Sequence, residues 1–356
     1  MAQLKGSGSN DVAAVYAHCL EIAEELHGTT SPIAFDVLWG LNACILVHGR
    51  IETASELSQR LLKAAGSAGN ETQILLATRL KGLAGFLAVN LNEAIDDFRV
   101  VQQLCESTDH TALRFSHASD QGAVARAHQA WAEAIAGEFE NSENSHIEAL
   151  YQAERLKHPH TSAHVMCVLA ARAQSLGQGH IAAPLANAGR TIARRHNFEY
   201  WEAWADLIRG WHSGLRALET APAALDLAIQ SYKQTGAGQG LPYAHHLRAS
   251  VALAAGDMAT AAATADAGLA CCESYGVMFF KAALLLDKSQ ATSAEPDRRN
   301  LIELALVVAR RHKAVLFENR GIALRDRSIT PDRAPPALVH PAICAQNQFL
   351  GHTQGS

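Results

Sequence analysis

A unit of about 40 residues recurs along this chain of 356 residues, and this period restricts the fold more than any other feature. Short polar or glycine-containing breaks, each followed by a similar helical pattern, lie at 48–54, 89–95, 139–145, 177–183, 218–225 and 255–262. They predict second helices that begin near residues 51, 91, 143, 179, 219 and 257. A helical hairpin cannot bury its apolar face alone, so such units are expected to stack as a solenoid.

The text between the breaks is helical in type. From Asn10 to about Asp326 it is rich in Ala, Leu, Glu, Gln and Arg, and it lacks Val-Ile-Thr alternation between hairpin turns. Gly82 and Ala94 are small residues that would let two helix backbones approach, and Phe98 continues the apolar stripe. Ser31 followed by proline marks a helix start. The sequence therefore predicts an all-α chain.

The predicted architecture is a right-handed superhelix of about seven hairpins, tetratricopeptide-like although its unit exceeds the ~34 residues of that repeat. We expect the repeat domain to occupy residues 10–326. Residues 1–9 are rich in Gly and Ser and are predicted to be a flexible N-terminus. Four of the ten prolines lie in the last 30 residues, so 327–356 are predicted to form a Pro-rich tail.

Composition excludes several classes of function. The formal net charge is −5, which leaves no basic field for a nucleic acid backbone. The seven cysteines are scattered without a CxxC pair, which favours reduced thiols and a cytoplasmic location. No signal-peptide h-region opens the chain, and no apolar run approaches ~18 residues. We therefore expect a soluble protein without nucleic acid or membrane partners.

Four segments carry a resemblance to a known family: DHTALRFSHASDQGAVARAHQAWAEAIAGEF (109–139), HPHTSAHVMCVLAARAQSLGQG (158–179), FEYWEAWADLIRGWHSG (198–214) and LPYAHHLRASVALAAGD (241–257). Together they resemble the C-terminal tetratricopeptide-like region of bacterial multidomain signalling ATPases, which accompanies class III adenylate/guanylate cyclase or LuxR-type DNA-binding domains. The similarity spans about residues 35–325. It implies a regulatory role beside signalling enzymes.

The catalytic parts of that family have no counterpart in this sequence. No G-x-x-x-x-G-K-[ST] loop and no Gly-Lys dipeptide occur, so the ATPase phosphate loop is missing. A cyclase carboxylate pair in a β context and a helix-turn-helix are missing as well. The resemblance therefore implies an excised domain, a split-gene product or a free-standing relative, and it transfers no catalytic residue.

Two other motifs favour ordinary structural interpretations. His160, His164 and Cys167 lie at i, i+4 and i+7 and are a weak metal candidate, but a straight helix seldom points three ligands at one ion. The glycines of GAGQG (236–240) mimic a dinucleotide fingerprint. That fingerprint must follow a strand, so a flexible connection between two helices is expected here. No cofactor and no catalytic residue are predicted.

Three of the five tryptophans fall within eleven residues, at 201, 204 and 211. The favoured interpretation is packing between hairpins at the centre of the stack; the alternative is a recognition surface on the concave wall.

We expect a non-enzymatic scaffold whose concave face, formed by the first helix of each hairpin, binds a protein or peptide segment. The alternative is a small-molecule sensor or unrecognised enzyme with a pocket inside the superhelix, and self-association stays open. The predicted partner-binding residues share an aromatic or basic side chain on those first helices: Trp39, Arg79, Arg126, Trp131, Arg172, Trp204, Arg209, Tyr243, His245 and Arg248.

Overall fold

The computed structural model describes residues 10–29, 31–107, 113–217 and 221–329. Within these ranges it has sixteen helices of eleven residues or more, one four-residue helix and no strand. In chain order the helices are α1 (Asn10–His27), α2 (Pro32–His48), α3 (Ile51–Ala68), α4 (Glu71–Leu87), α5 (Leu91–Ser107), α6 (Leu113–Ser116), α7 (Gln121–Ala136), α8 (Phe139–Leu156), α9 (Pro159–Ser175), α10 (Gly179–Arg195), α11 (Glu199–Arg216), α12 (Ala221–Gln234), α13 (Leu241–Ala254), α14 (Met258–Tyr275), α15 (Lys281–Ala291), α16 (Glu295–Arg311) and α17 (Val315–Ile329).

The long helices pair into seven antiparallel hairpins: α2/α3, α4/α5, α7/α8, α9/α10, α11/α12, α13/α14 and α15/α16. Helix α1 packs on the first hairpin and α17 packs on the last. The first helix of each hairpin also contacts the first helix of the next, and these first helices form the inner layer of the solenoid. The prediction of an all-α, tetratricopeptide-like hairpin solenoid is confirmed.

Local sequence signals set the helix ends. The Ser31 hydroxyl accepts a hydrogen bond from the backbone N–H of Ala34 at 3.2 Å, and proline occupies the first turn, as predicted. Helix α2 ends at Gly49, which has φ 87°, a left-handed conformation that glycine adopts without strain.

Small residues bring the two helices of a hairpin together. A Cβ atom on Gly82 of α4 would lie 2.9 Å from the Phe98 ring of α5, and Ala94 is fully buried beside them. The predicted close approach of these helices is therefore present, and any larger side chain at position 82 would force them apart.

The superhelix closes on itself. The backbone N–H of Gly238 donates to the carbonyl oxygen of Val47 at 2.9 Å, and that of Met278 donates to Leu87 at 2.8 Å. One unit further on, a Cβ atom on Gly137 would lie 2.7 Å from Val315. Each contact joins the end of an inner helix to a segment about five hairpins later. Successive superhelical turns are therefore packed together.

Aromatic side chains fill the centre of the closed superhelix. The Trp204 ring stacks on Tyr243, with centroids 5.6 Å apart, and Trp131 meets Tyr243 and Phe279 edge-on at 5.6 and 5.3 Å. Trp201, Trp204 and Trp211 are all buried. Trp204 thus packs between hairpins, as the favoured interpretation expects, while Trp201 and Trp204 also line a pocket of the inner layer, so the alternative of a recognition surface stays open.

The GAGQG connection between α12 and α13 differs from the prediction. It does join two helices, but it is packed: Gly238 and Gln239 both donate to Val47, and a Cβ atom on Gly240 would lie 2.5 Å from Trp204. The expectation of a flexible connection is corrected, because the closed superhelix lays this segment against α2.

No helix in the described part of the chain is long and apolar enough to cross a membrane. The predicted N-terminus, residues 1–9, lies outside the described residues. So does most of the predicted tail, although α17 continues to Ile329, three residues beyond the predicted boundary at 326.

Candidate functional site

The inner layer encloses a pocket, which we call the inner-face pocket. Helices α2, α4, α7, α9 and α11 form its walls, and the loop before α7 and the packed connection before α13 close part of it. The centres of water-sized spheres can occupy about 150 Å³ of the pocket, which is partly open to solvent. Its lining consists of Trp39, Ala43, Leu46, Val47, Arg79, Leu80, Leu83, Phe86, Leu87, His117, Ala118, Ser119, Gln121, His128, Trp131, His160, His164, Val168, Phe198, Glu199, Tyr200, Trp201, Trp204, Gln239 and Phe279.

Arg79 brings a positive charge into this largely apolar pocket. The residue is only 7% exposed, and its Nε atom is buried without a hydrogen-bond partner. No carboxylate of the described residues forms an ion pair with the guanidinium. Burial lowers its pKa to about 10, which still leaves the group charged at neutral pH. Buried charges are normally paired, so Arg79 is an exception that asks for an explanation.

Two histidines near Arg79 are held neutral. Burial, followed by the charge of Arg79, lowers the pKa of His128 to about 3, and Nδ1 of His128 donates to the carbonyl oxygen of Val124 at 2.8 Å. Burial, with smaller effects from His128 and Arg79, also lowers the pKa of His164 well below its ordinary value. These imidazoles therefore add no charge to the pocket at neutral pH.

A third histidine belongs to a hydrogen-bond chain. Trp201 Nε1 donates to His160 Nε2 at 3.3 Å, so in the neutral ring Nδ1 carries the proton and donates to the Ser119 hydroxyl at 2.7 Å. Burial lowers the pKa of His160 to about 4, with a smaller contribution from His158. The chain fixes the ring in one tautomer and orientation.

The rim of the pocket carries the exposed acidic groups. Asp36 lies 3.9 Å from Nε2 of His117, whose ring meets Trp39 edge-on at 4.5 Å. Burial raises the pKa of Asp36, and His117 opposes that shift. Glu199 lines the pocket from α11 and is exposed. The pocket thus combines a buried cation with one exposed carboxylate in its lining and a second one next to His117.

Four of the predicted partner-binding residues lie together at the inner-face pocket: Trp39, Arg79, Trp131 and Trp204. Trp39 and Trp131 are held by indole hydrogen bonds to the carbonyl of Leu76 and the hydroxyl of Ser175. Tyr243 is fully buried behind Trp204 and does not line the pocket.

The other predicted arginines lie elsewhere and face the outer helices. Arg126 pairs with Glu148 at 3.1 Å, and Arg172 pairs with Glu143 at 2.8 Å, both partners being on α8. Arg209 donates to Asn187 of α10 at 2.6 Å, and Arg248 pairs with Asp226 of α12 at 2.7 Å. These arginines join the two helix layers instead of facing the pocket.

His245 faces an outer helix as well. It is 9% exposed, and a Cβ atom on Gly268 of α14 would lie 2.9 Å from its side chain. Burial, with a smaller effect of Lys233, lowers its pKa to about 4.

The metal candidate does not form a common centre. His160 and His164 line the pocket, whereas the Cys167 thiol donates to the carbonyl oxygen of Trp201 at 3.5 Å, and burial raises its pKa. No group of three His, Cys, Asp or Glu side chains among the described residues is placed to hold a metal ion.

Sequence reasoning missed six polar residues of the pocket: His117, Ser119, Gln121, His128, Glu199 and Gln239. His128 gave little signal, because its helix carries other polar side chains as well, among them Gln129 and Glu133. Gln239 gave none, since the long-range closure of the superhelix brings it to α2.

No family model matches the chain, and no curated protein matches it. A search of solved structures finds the crystal structure of a Rap protein complexed with competence and sporulation factor, with a TM-score of 0.53 and 12% sequence identity. The alignment covers 90% of this chain and 99% of that one. The fold of the two proteins is therefore similar along almost their whole length, and the class defined here is a tetratricopeptide-like helical repeat fold.

Proposed function

We propose that the protein is a non-enzymatic receptor that binds a short peptide or protein segment, with one residue of that segment inserted in the inner-face pocket. The observation that carries this proposal is the pocket itself: five inner helices surround it, while aromatic side chains fill the centre of the superhelix beyond it. The inner face therefore offers a bounded site and not a continuous open groove.

The dimensions and lining of the pocket support a peptide anchor. Its volume is similar to that of a cavity which accepts one benzene ring. Indole rings and aliphatic side chains dominate the wall, and an anchor residue in such a desolvated pocket supplies most of the affinity of many peptide interfaces. The rest of a bound segment would extend across the rim, near Asp36 and Glu199.

The structural neighbour supports the same class of function. The Rap protein was crystallised with competence and sporulation factor, so a superhelix of this shape accepts a bound factor in that case. A regulatory role for this chain, beside bacterial signalling enzymes, is the extension implied by the sequence resemblance to signalling ATPases.

An enzymatic role is less well supported by the pocket. Among the described lining residues, the Ser119 hydroxyl contacts two histidines, Nδ1 of His160 at 2.7 Å and Nδ1 of His164 at 3.5 Å. Because Trp201 donates to His160 Nε2, Nδ1 of the neutral ring carries the proton, and the Ser119 hydroxyl accepts its hydrogen bond instead of donating one. His160 is therefore not oriented as a base for Ser119, and the contact with His164 is at the distance limit of a hydrogen bond.

The proposal is tested by selection from a randomised peptide library on immobilised protein at pH 7.5. We expect the recovered peptides to bind the wild-type protein with micromolar affinity. They should bind the variant Ala43→Phe, whose phenyl ring fills the pocket, at least tenfold more weakly. Ala263→Phe, at an exposed position of α14, is the matched control and should bind as the wild type does. Circular dichroism verifies that both variants fold.

Two results would contradict the proposal. Selected peptides that bind Ala43→Phe normally would place the site elsewhere. A library without any binder, together with a metabolite that raises the melting temperature of the wild type but not of Ala43→Phe, would favour the small-molecule sensor.

A further inference from the structure

We infer that the inner-face pocket recognises a carboxylate carried on an apolar or aromatic group, either as a free acid or as the C-terminal residue of a peptide, with the Arg79 guanidinium as its partner. The peptide form of this ligand rests on the function proposed above. The carboxylate itself is argued from the side chains of the pocket.

Arg79 differs from the other fully buried arginine on the inner layer. Arg172, at 1% exposure, donates to Ser142 at 2.8 Å and to Glu143 at 2.8 Å. Arg79 has comparable burial, but within the described residues it has neither a carboxylate nor a hydrogen-bond acceptor. Its side chain lies in the wall of the inner-face pocket. A charge left unpaired in that position is suited to an anion that arrives from outside.

The surrounding charges indicate a ligand with one negative charge. His128 and His164, whose pKa values the charge of Arg79 helps to lower, are neutral. Glu199 lines the pocket, and Asp36 lies 3.9 Å from the lining residue His117, so both carboxylates would repel a dianion. One guanidinium balances one carboxylate and can bind it through two parallel hydrogen bonds, whereas a phosphate would need further donors.

The apolar wall indicates what the carboxylate is attached to. Leu80, Leu83 and Phe86 follow Arg79 along α4 and line the same pocket, and Val168 lies opposite on α9. A polar body would lose its hydration there without new partners. A phenyl, indole or branched aliphatic group next to the carboxylate satisfies both requirements.

The test uses matched acids and amides. Isothermal titration at pH 7.5 compares 3-phenylpropanoic acid with 3-phenylpropanamide, and N-acetylphenylalanine with N-acetylphenylalaninamide. We expect each acid to bind at least tenfold more tightly than its amide. Arg79→Met is expected to lower the affinity for each acid to that for the amide, and Arg79→Lys to retain part of the difference, because lysine keeps the charge without the bidentate geometry.

Arg60→Met is the control. Arg60 is partly exposed on α3 and pairs with Glu24, so this variant has the same change in net charge without a change in the pocket. It should bind the acids as the wild type does. Should Arg79→Met fail to fold, Arg79→Gln provides the same readout with a polar side chain.

Three outcomes would overturn the inference: equal binding of acid and amide, wild-type affinity of Arg79→Met, or no binding of either acid at millimolar concentration. Tighter binding of phenyl phosphate than of the acids would also overturn it. If the free acid binds through Arg79 but no peptide does, the carboxylate site stands and the peptide receptor fails. If peptides bind regardless of C-terminal amidation and of Arg79, the receptor stands and the carboxylate inference fails.

Discussion

At the scale of a single residue, Arg79 is expected to favour ligand binding at the expense of the stability of the unliganded fold. An unpaired guanidinium in the wall of a pocket lowers the stability of the unliganded fold, because its desolvation is not offset by a protein partner. Arg172 has a similar depth of burial and does have partners. The two arginines therefore form an internal comparison.

We predict that Arg79→Met raises the melting temperature of the unliganded protein by about 2 °C or more, since it removes a buried unpaired charge. Arg172→Met should lower the melting temperature, because it leaves the Ser142 and Glu143 contacts empty. Differential scanning calorimetry measures both. A loss of stability in Arg79→Met similar to that in Arg172→Met would show that Arg79 is a structural residue.

The buried histidines make the fold sensitive to acid. Burial lowers the pKa of His128 to about 3 and those of His160 and His245 to about 4, below the value of ~6.5 in an unfolded chain. Arg79 acts on His128, His158 on His160 and Lys233 on His245, and each of these neighbouring groups lowers the pKa further. Unfolding below pH 6.5 therefore takes up protons.

We predict that the free energy of unfolding has its full value above pH 6.5 and falls as the pH is lowered towards 5. Each of these histidines lowers the free energy of unfolding by up to about 1.4 kcal/mol for every pH unit below 6.5. This effect ends near the pKa of the histidine in the folded protein. Urea titrations at pH 8, 6 and 5 measure the loss of unfolding free energy. In His128→Phe, unfolding should take up one proton fewer, so the free energy of unfolding should fall less steeply with pH. Equal stability at pH 8 and pH 5 would contradict this account.

Individual site residues were predictable only in part. The presence of Trp39 and Arg79 at the inner-face pocket was predictable from their residue types and their positions on inner helices. Arg209 and Arg248 have the same type, yet each contacts a residue 22 positions earlier, Asn187 and Asp226 respectively. Lys288 repeats this contact one unit later with Asp266 at 2.6 Å. The shared offset is visible in the sequence and could have separated these layer-joining pairs from the pocket residues.

At the level of helices, the repeat period predicted the architecture well. Second helices begin at Ile51, Leu91 and Gly179 as predicted, and at Ala221 and Met258 within two residues of prediction. The expected start near 143 was wrong, because α8 begins at Phe139 directly after the cap at Gly137. The polar run 139–145 looked like a break, but it forms the first two turns of an outer helix, where polar side chains remain solvated.

The connection before α13 packs against α2, and this contact was not predictable from the sequence. A Cβ atom on Gly238 would lie 2.3 Å from the carbonyl oxygen of His48, a backbone atom that cannot move independently of α2. The glycine is therefore required by the approach of two distant backbones. Local sequence patterns carry no information about that approach.

We predict that Gly238→Ala lowers the free energy of unfolding by about 2 kcal/mol or more, because the added methyl group forces the connection away from α2. Gly66→Ala is the matched control: nothing lies within 4 Å of its added Cβ atom, so alanine in helix α3 should be neutral or stabilise by about 0.5 kcal/mol. Urea denaturation measures both variants. Equal stability of the two would show that the contact with α2 is dispensable.

For the whole molecule, closure changes how the solenoid should unfold. An open repeat array contacts only its neighbours and can lose its ends independently. Here the ends of α2 and α4 form hydrogen bonds with segments of the sixth and seventh hairpins, and α17 packs on α7. One core cluster extends from Leu20 to Phe317. The early and late hairpins therefore depend on each other.

We predict a single cooperative transition. With fluorine-labelled tryptophan, the resonances of Trp39 in the first hairpin and Trp211 in the fifth should lose their native signal at the same urea midpoint, within about 0.3 M. Separate midpoints for the two resonances would show that the hairpins unfold independently in spite of the closure.

The most direct test of the account is the crystal structure of the protein with the tightest-binding carboxylate from the titration series. The account predicts density for the ligand in the inner-face pocket, with carboxylate oxygens about 2.7–2.9 Å from the guanidinium nitrogens of Arg79 and the apolar group against α4. A ligand bound outside the pocket, or an Arg79 side chain paired with a carboxylate of the protein while the pocket stays empty, would contradict it.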